Sequence, residues 1–112
     1  MQAVFIILKQ TDLVDDIMDA LAQVGIKGGT AIDSEGMAAS LERTNKNVAM
    51  VQLLRGILSG EESHKSKTVF VIVKDEQVDA VKDAVVSVTG DLSKPNAGIM
   101  FGVPISFTEG IS

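Results

Sequence analysis

Two segments of this chain repeat the same pattern. Residues 4–9 read VFIILK and residues 69–74 read VFVIVK. When the alignment slips by one position after these segments, residues 14–15 and 78–79 match as well, since both read Val-Asp. A chain of 112 residues has room for one domain. The repeat therefore predicts a single domain over 1–112 that is built from two copies of one unit.

Each copy begins with a β-branched run that is hydrophobic at nearly every position, which is typical of a central strand. Asp12 and Asp75 follow these runs, and their side-chain oxygens are expected to cap the next helix. Gly25 and Gly90 are expected to end the helices in the left-handed region. Between these limits, apolar residues recur at helical spacing: Val14, Ile17, Met18 and Leu21, then Val78, Val81, Val85 and Val88.

A second strand follows each helix, over residues 30–33 and 99–103. The later strand is expected to continue past Pro104 to Ile105 and Phe107, and the proline implies an edge position or a bulge. The order β-α-β, β-α-β predicts an α+β fold of the ferredoxin-like type. It has a four-stranded antiparallel sheet with two helices on one face. A chain that is 46% hydrophobic is expected to cover the other face by oligomerising.

A long insert, about residues 36–67, belongs to neither copy. Loops longer than about 12–15 residues are usually functional or disordered. Within this insert, Val48, Val51, Leu54 and Leu58 recur at helical spacing. Their apolar stripe has two readings, a helix packed on its own domain or a neighbouring subunit, and an arm that docks into a partner or moves with ligand.

Composition excludes several classes of function. The formal net charge of −5 and the absence of Trp and Tyr argue against nucleic-acid binding. The chain has no cysteine for disulfides, thiolate metal sites or thiol nucleophiles. No apolar run approaches the roughly 18–20 residues of a membrane span, and no export signal is apparent. These features together predict a cytoplasmic protein.

The residues for catalysis are missing. His64 is the only histidine, and no second ligand stands at metal spacing. The pairs 15–16 and 61–62 are acidic neighbours, which do not face each other on a helix as a general acid and base would. No base is placed to activate a serine. We therefore predict that the protein is not an enzyme and holds no metal, and the sequence establishes no cofactor.

Two glycine-bearing segments carry the groups that a phosphate cradle needs, namely exposed backbone N–H groups, a hydroxyl and a lysine. They are residues 27–30 (KGGT) and 89–98 (TGDLSKPNAG). Neither matches the P-loop pattern, so simple turns and helix caps are the competing explanation. We expect both segments to lie around one end of the sheet.

At these residues the sequence resembles the P-II nitrogen-regulatory family. The insert then occupies the position of that family's T-loop, and residues 89–98 occupy the position of its B-loop. The motifs that carry the resemblance span both halves of the chain: VFIILK (4–9), VGIKGGT (24–30), EGM (35–37), KTVFVIV (67–73), TGDL (89–92) and GIMFGVPI (98–105).

The resemblance implies a cytoplasmic homotrimer of the signal-transduction class, with adenine nucleotides bound in the clefts between subunits. The nucleotide would change the order of residues 36–67 and thereby regulate a target enzyme or membrane transporter, in nitrogen metabolism. Carried over by position, the candidates near the adenine and ribose are Gly28, Gly29 and Thr30. Those at the T-loop base are Gly36 and Met37, and those of the B-loop are Thr89, Gly90, Asp91, Leu92, Ser93 and Lys94.

Some residues depart from the family pattern. Residues 38–40 (AAS) stand where the family commonly has Gly-Arg-Gln, and 106–109 (SFTE) replace an arginine-rich end. The B-loop is longer and lacks the glycine-lysine step, and no tyrosine is present for modification. Each lost cation removes charge-assisted hydrogen bonds of about 1.5–3 kcal/mol. ATP binding of the usual kind is therefore not expected to carry over.

Two alternatives stay open. A trimeric metal-binding protein like the CutA-type copper-tolerance family would share this fold, although one histidine and no cysteine argue against it. Stoichiometric copper or zinc in the purified protein would favour it. An assembly module without a ligand would instead give silent ligand screens, and deleting residues 38–64 would alter no partner interaction.

Overall fold

The computed structural model describes residues 1–44, 49, 52–53, 65–95 and 97–111. Short 3-10 turns, Thr11–Leu13 and Asp75–Gln77, lead directly into two of the helices. The strands and helices in chain order are β1 (Gln2–Leu8), α1 (Val14–Gln23), β2 (Gly29–Ser34), α2 (Met37–Thr44), β3 (Ser66–Val73), α3 (Val78–Thr89) and β4 (Ile99–Pro104).

The four strands form one sheet in the order β2-β3-β1-β4, and every neighbouring pair is antiparallel. This confirms the predicted α+β, ferredoxin-like sandwich. The register defines two ends of the sheet. The Gln2 end holds Gln2, Gly29, Val73 and Pro104, and the Leu8 end holds Leu8, Ser34, Ser66 and Ile99.

The core lies between the sheet and the helices α1 and α3, which contact each other. Of the predicted helical stripes, Val14, Ile17, Leu21, Val81 and Val85 are buried, and Met18, Val78 and Val88 pack partly buried against them. Burial of one such side chain contributes about 1.5–3 kcal/mol. Alternate strand residues complete the core: Val4, Ile6 and Leu8 from β1, and Val69, Val71 and Val73 from β3.

The predicted N-caps are wrong, because neither helix has a side-chain hydrogen bond at its N-cap. Asp12 and Asp75 lie inside the 3-10 turns that precede the helices. The Asp75 Oδ1 atom lies 3.1 Å from the Met1 amino group instead. The helix ends are as predicted, since Gly25 and Gly90 have φ angles of 87° and 75°.

The last strand is shorter than predicted. It ends at Pro104, and beyond it the Ile105 amide donates one hydrogen bond to the Met1 carbonyl at 3.1 Å. Because β1 begins at Gln2, later residues have no strand to pair with, and Phe107 is 80% exposed. The proline is tolerated because β4 is an edge strand, as predicted.

The sheet face opposite the helices is apolar and open in the single chain. Phe5 stands between its cross-strand partners Phe70 and Phe101, with ring centroids 5.7 and 5.1 Å apart. Exposed apolar residues of the same face flank this aromatic row: Ile32, Ile72, Ile99 and Val103. We call this surface the open face.

Gly98 lies directly before β4, where the chain needs a glycine. Its φ angle is +127°, and a Cβ atom there would lie 2.6 Å from the Ile7 carbonyl oxygen. Replacing Gly98 with alanine should therefore lower the free energy of unfolding by about 2–3 kcal/mol, measured by urea denaturation.

Gly28→Ala is the matched control, because a Cβ there has nothing within 4 Å. It should change stability by less than about 0.5 kcal/mol. Equal stability of the two variants would contradict this account of the β4 entry.

Candidate functional site

The candidate loops lie at opposite ends of the sheet in one chain. Because β2 runs antiparallel to β3, its first residue Gly29 pairs with Val71 near the Gln2 end. The insert base at Gly36 and the loop 89–98 lie at the Leu8 end, where β2 ends and β4 begins. The expectation that all glycine-bearing loops surround one end is therefore wrong for a single chain.

The two groups at the Leu8 end also stand at different edges of the sheet. The insert leaves from the edge strand β2, and the loop 89–98 enters the opposite edge strand β4. Three strand spacings, about 14 Å, separate these strands. Within one chain, the structure thus places the three candidate groups around the sheet and not in a common pocket.

The segment at the Gln2 end contains one packing glycine and one open glycine. A Cβ atom at Gly29 would lie 3.0 Å from the Met18 Sδ atom and 3.2 Å from Val71 Cγ1, so close helix packing favours glycine there. At Gly28 a Cβ atom would meet nothing within 4 Å. The exposed Thr30 stands opposite Phe70 on the open face. Gly28 and Thr30 thus leave backbone and hydroxyl groups accessible.

An open cleft of about 610 Å³ lies beside this segment. Its lining combines Gly28 and Thr30 with two lysines, Lys27 and Lys74, and with apolar groups such as Phe70. Ligand clefts typically have volumes of about 300–1,000 Å³ and this mixture of apolar walls with few polar groups. The cleft is large enough for a small amphipathic ligand.

The insert begins with a short helix that an ion pair holds in place. Arg43 donates to Glu35 through Nε at 3.2 Å to each carboxylate oxygen and through a second nitrogen at 2.9 Å. The Ser40 amide also donates to the Gly36 carbonyl at 2.9 Å. Hydrogen bonds from Arg43, aided by its charge and by Ser40, lower the pKa of Glu35, and the same pair raises the pKa of Arg43.

Met37 begins this helix and is 77% exposed. Neither Glu35 nor Arg43 is among the candidate site residues predicted from the sequence. They stand eight positions apart, outside the i to i+4 spacing by which helical ion pairs are recognised. No sequence signal identifies them, because Glu35 precedes the helix and the turn at Gly36 brings it near.

A set of hydroxyl groups joins the two strands from which the insert leaves. The Ser34 and Ser66 hydroxyl oxygens are 2.7 Å apart, and Thr68 donates to Ser34 Oγ at 3.0 Å. Lys67 and Asp33 form a neighbouring ion pair at 3.6 Å. These contacts hold together the two points at which the insert leaves and rejoins the sheet.

The loop 89–98 is organised by its own polar groups. Asp91 Oδ1 accepts hydrogen bonds from the Ser93 amide at 2.9 Å and from the Ser93 hydroxyl at 2.7 Å. Both bonds lower the pKa of the Asp91 carboxyl. Thr89 donates to the Gly90 carbonyl at 2.9 Å, and the Lys94 amide donates to the Asp91 carbonyl at 3.2 Å. Leu92 is half-buried in this loop, whereas Lys94 is exposed.

Other candidates fall outside what the structure describes. These are His64 and the four residues of the apolar stripe, Val48, Val51, Leu54 and Leu58. In the described part of the chain, no three His, Cys, Asp or Glu side chains come together as metal ligands would. Among those same residues, no helix is long and apolar enough to span a membrane.

The fold and its loops define a class of protein, a ferredoxin-like domain with a long insert between its second and third strands. The family model for the nitrogen regulatory protein P-II matches residues 1–112, so the chain belongs to that family. No curated protein sequence matches the chain. Proteins of the P-II family are regulatory signalling proteins and not enzymes, and they act as homotrimers with effectors and targets.

The ion pair at the insert base predicts a pH effect. The pKa of Glu35 is lowered in the folded state. The pair therefore stabilises the start of the insert fully when the pH is above the ordinary glutamate pKa of 4.5. That contribution is lost as the pH falls through the lowered pKa. A carboxyl ¹³C NMR titration should show Glu35 titrating below 4.5, and Arg43→Gln should return its pKa towards 4.5.

Lys82→Gln, which removes an exposed cation from α3, should leave the titration of Glu35 unchanged. If Glu35 titrates at the same pH with and without Arg43, the ion pair does not exist in solution.

Proposed function

We propose that this P-II-family chain works as a homotrimer that binds a small effector between subunits and regulates a target through its insert. An adenine nucleotide is the first candidate effector, and a target enzyme or membrane transporter in nitrogen metabolism is the candidate partner. The cytoplasmic location is part of the same proposal. The observation that carries it is the open apolar face, together with candidate loops that one chain keeps apart.

The open face supports assembly. Three of the four phenylalanines, Phe5, Phe70 and Phe101, lie on it with their rings in contact. Phe101 is 43% exposed in the single chain. Contiguous exposed apolar surface of this kind marks interaction sites. Two neighbouring copies that covered this face would remove these rings from water. Each large side chain that becomes fully buried would stabilise the assembly by about 1.5–3 kcal/mol.

The separated loops support a site between copies. A ligand that contacts both Gly28 at the Gln2 end and Gly36 at the Leu8 end cannot do so within one chain, since the length of β2 lies between them. A neighbouring copy can bring its own Gln2 end to the Leu8 end of the first. The proposed effector site is therefore shared by two subunits.

The cleft at the Gln2 end supports a nucleobase and ribose as the ligand parts held there. Phe70 provides an apolar wall, while Thr30 and the backbone at Gly28 provide hydrogen-bonding groups. A flat heterocycle with polar edges suits this mixture. The polar groups fix its orientation, and the apolar wall supplies area that is removed from water.

The insert base supports the proposed output. The Ser34–Ser66 contact and the Glu35–Arg43 pair set where the insert leaves the sheet. An effector that touches Gly36 or Met37 would act at this point. Any ligand that binds one conformation of the insert base more tightly would shift the insert towards that conformation.

Assembly is tested at Phe101. Phe101→Asp places a charge in the aromatic row of the open face, so the variant should sediment as a monomer whereas the parent chain sediments as a trimer. Val86→Asp is the matched control, because Val86 on α3 is 42% exposed and Phe101 is 43% exposed. The control should remain trimeric. A parent chain that is monomeric at micromolar concentration would contradict the proposal.

Effector binding is tested by calorimetry with ATP, ADP, AMP and cyclic AMP. At least one should bind the trimer, and Phe101→Asp should abolish that binding because the site needs two copies. Val86→Asp should retain it. Silence with all four ligands at millimolar concentration would remove the adenine nucleotide from the proposal and favour an assembly module without a ligand.

A further inference from the structure

The loop 89–98 directs hydrogen-bond donors at one of its own carboxylates, that of Asp91. A backbone cradle binds a phosphate through free N–H and hydroxyl donors that converge on it. In this loop the Ser93 amide and the Ser93 hydroxyl both donate to one oxygen of Asp91, at 2.9 and 2.7 Å. The carboxylate thus occupies the donors that a phosphate oxygen would need.

Other amides of the loop are also engaged. The Gly90 amide donates to the Val86 carbonyl at 2.8 Å, which closes the end of α3. The Lys94 amide donates to the Asp91 carbonyl at 3.2 Å, and the Ala97 amide donates to the Lys94 carbonyl at 3.3 Å. These donors serve the turn itself, so a phosphate would have to break the turn to recruit them.

The charge of the loop opposes polyphosphate as well. The hydrogen bonds from Ser93 lower the pKa of Asp91, so this exposed carboxyl is ionised at neutral pH. Lys94 supplies one positive charge, which leaves no net charge between residues 89 and 98. A triphosphate would bring several negative charges beside Asp91, and the loop itself would offset them with only one cation, Lys94.

We infer that Asp91 is a specificity-determining residue that excludes polyphosphates, so the effector is a nucleoside carrying at most one phosphate. This inference rests on the proposed function and narrows the ligand of the same site. Asp91 acts by holding the Ser93 donors and by its own charge. Removing it should convert the loop into one that accepts a longer phosphate chain.

Calorimetry with AMP and ATP tests the selectivity. The parent chain should bind AMP at least about tenfold more tightly than ATP. Asp91→Ala frees both Ser93 donors and removes the charge, so it should improve ATP binding about tenfold relative to AMP. Asp79→Asn is the control, since it removes an exposed carboxylate near the start of α3, with roughly 15 Å of helix between it and Thr89. It should leave the ratio unchanged.

A second measurement needs no adenine. Tripolyphosphate should leave the Ser93 amide resonance of the parent chain in place and should shift it in Asp91→Ala. A shift in the parent chain, or an unchanged AMP to ATP ratio in Asp91→Ala, overturns the inference. If neither AMP nor ATP binds, the adenine part of the proposed function fails, and the tripolyphosphate result alone decides whether Asp91 blocks the loop.

Discussion

The pairing of β1 with β3 is the constraint on which the rest of this structure depends. Phe5 lies opposite Phe70, and this register sends Val4 and Val71 towards the helices while the rings share the open face. A slip by one residue would exchange the two faces and place the rings against α1 and α3. The central pair therefore decides at once which residues form the core and which form the open face.

The same pairing separates the loops. Since neighbouring strands all run antiparallel, β2 begins at the Gln2 end, whereas β2 ends and β4 begins at the Leu8 end. The turn at Gly28 falls at the Gln2 end, while the insert and the loop 89–98 fall at the Leu8 end. A single ligand site that uses all of these loops would then need two copies, which links the open apolar face to the proposed binding of an effector.

Polar groups in both candidate loops are already partnered within the chain. Arg43 is held by Glu35, and the donors of Ser93 are held by Asp91. A ligand must compete with these contacts, so its binding energy is the difference between new and existing hydrogen bonds. For an anionic ligand the competitor is a carboxylate in each case. This is the physical basis for favouring a ligand of low charge and for coupling a ligand to the order of the insert.

The sequence by itself determined the two β-α-β copies, the helical stripes at Val14–Leu21 and Val78–Val88, the glycine helix ends and the family. Hydrophobic periodicity and glycine conformation are local, so they can be read without the fold. Only the tertiary structure decided that the helices begin through 3-10 turns, that β4 ends at Pro104, that the candidate loops stand at opposite ends, and that Glu35 finds Arg43. Those features depend on strand register and on side chains meeting across turns, and neither is encoded in the spacing of residue types.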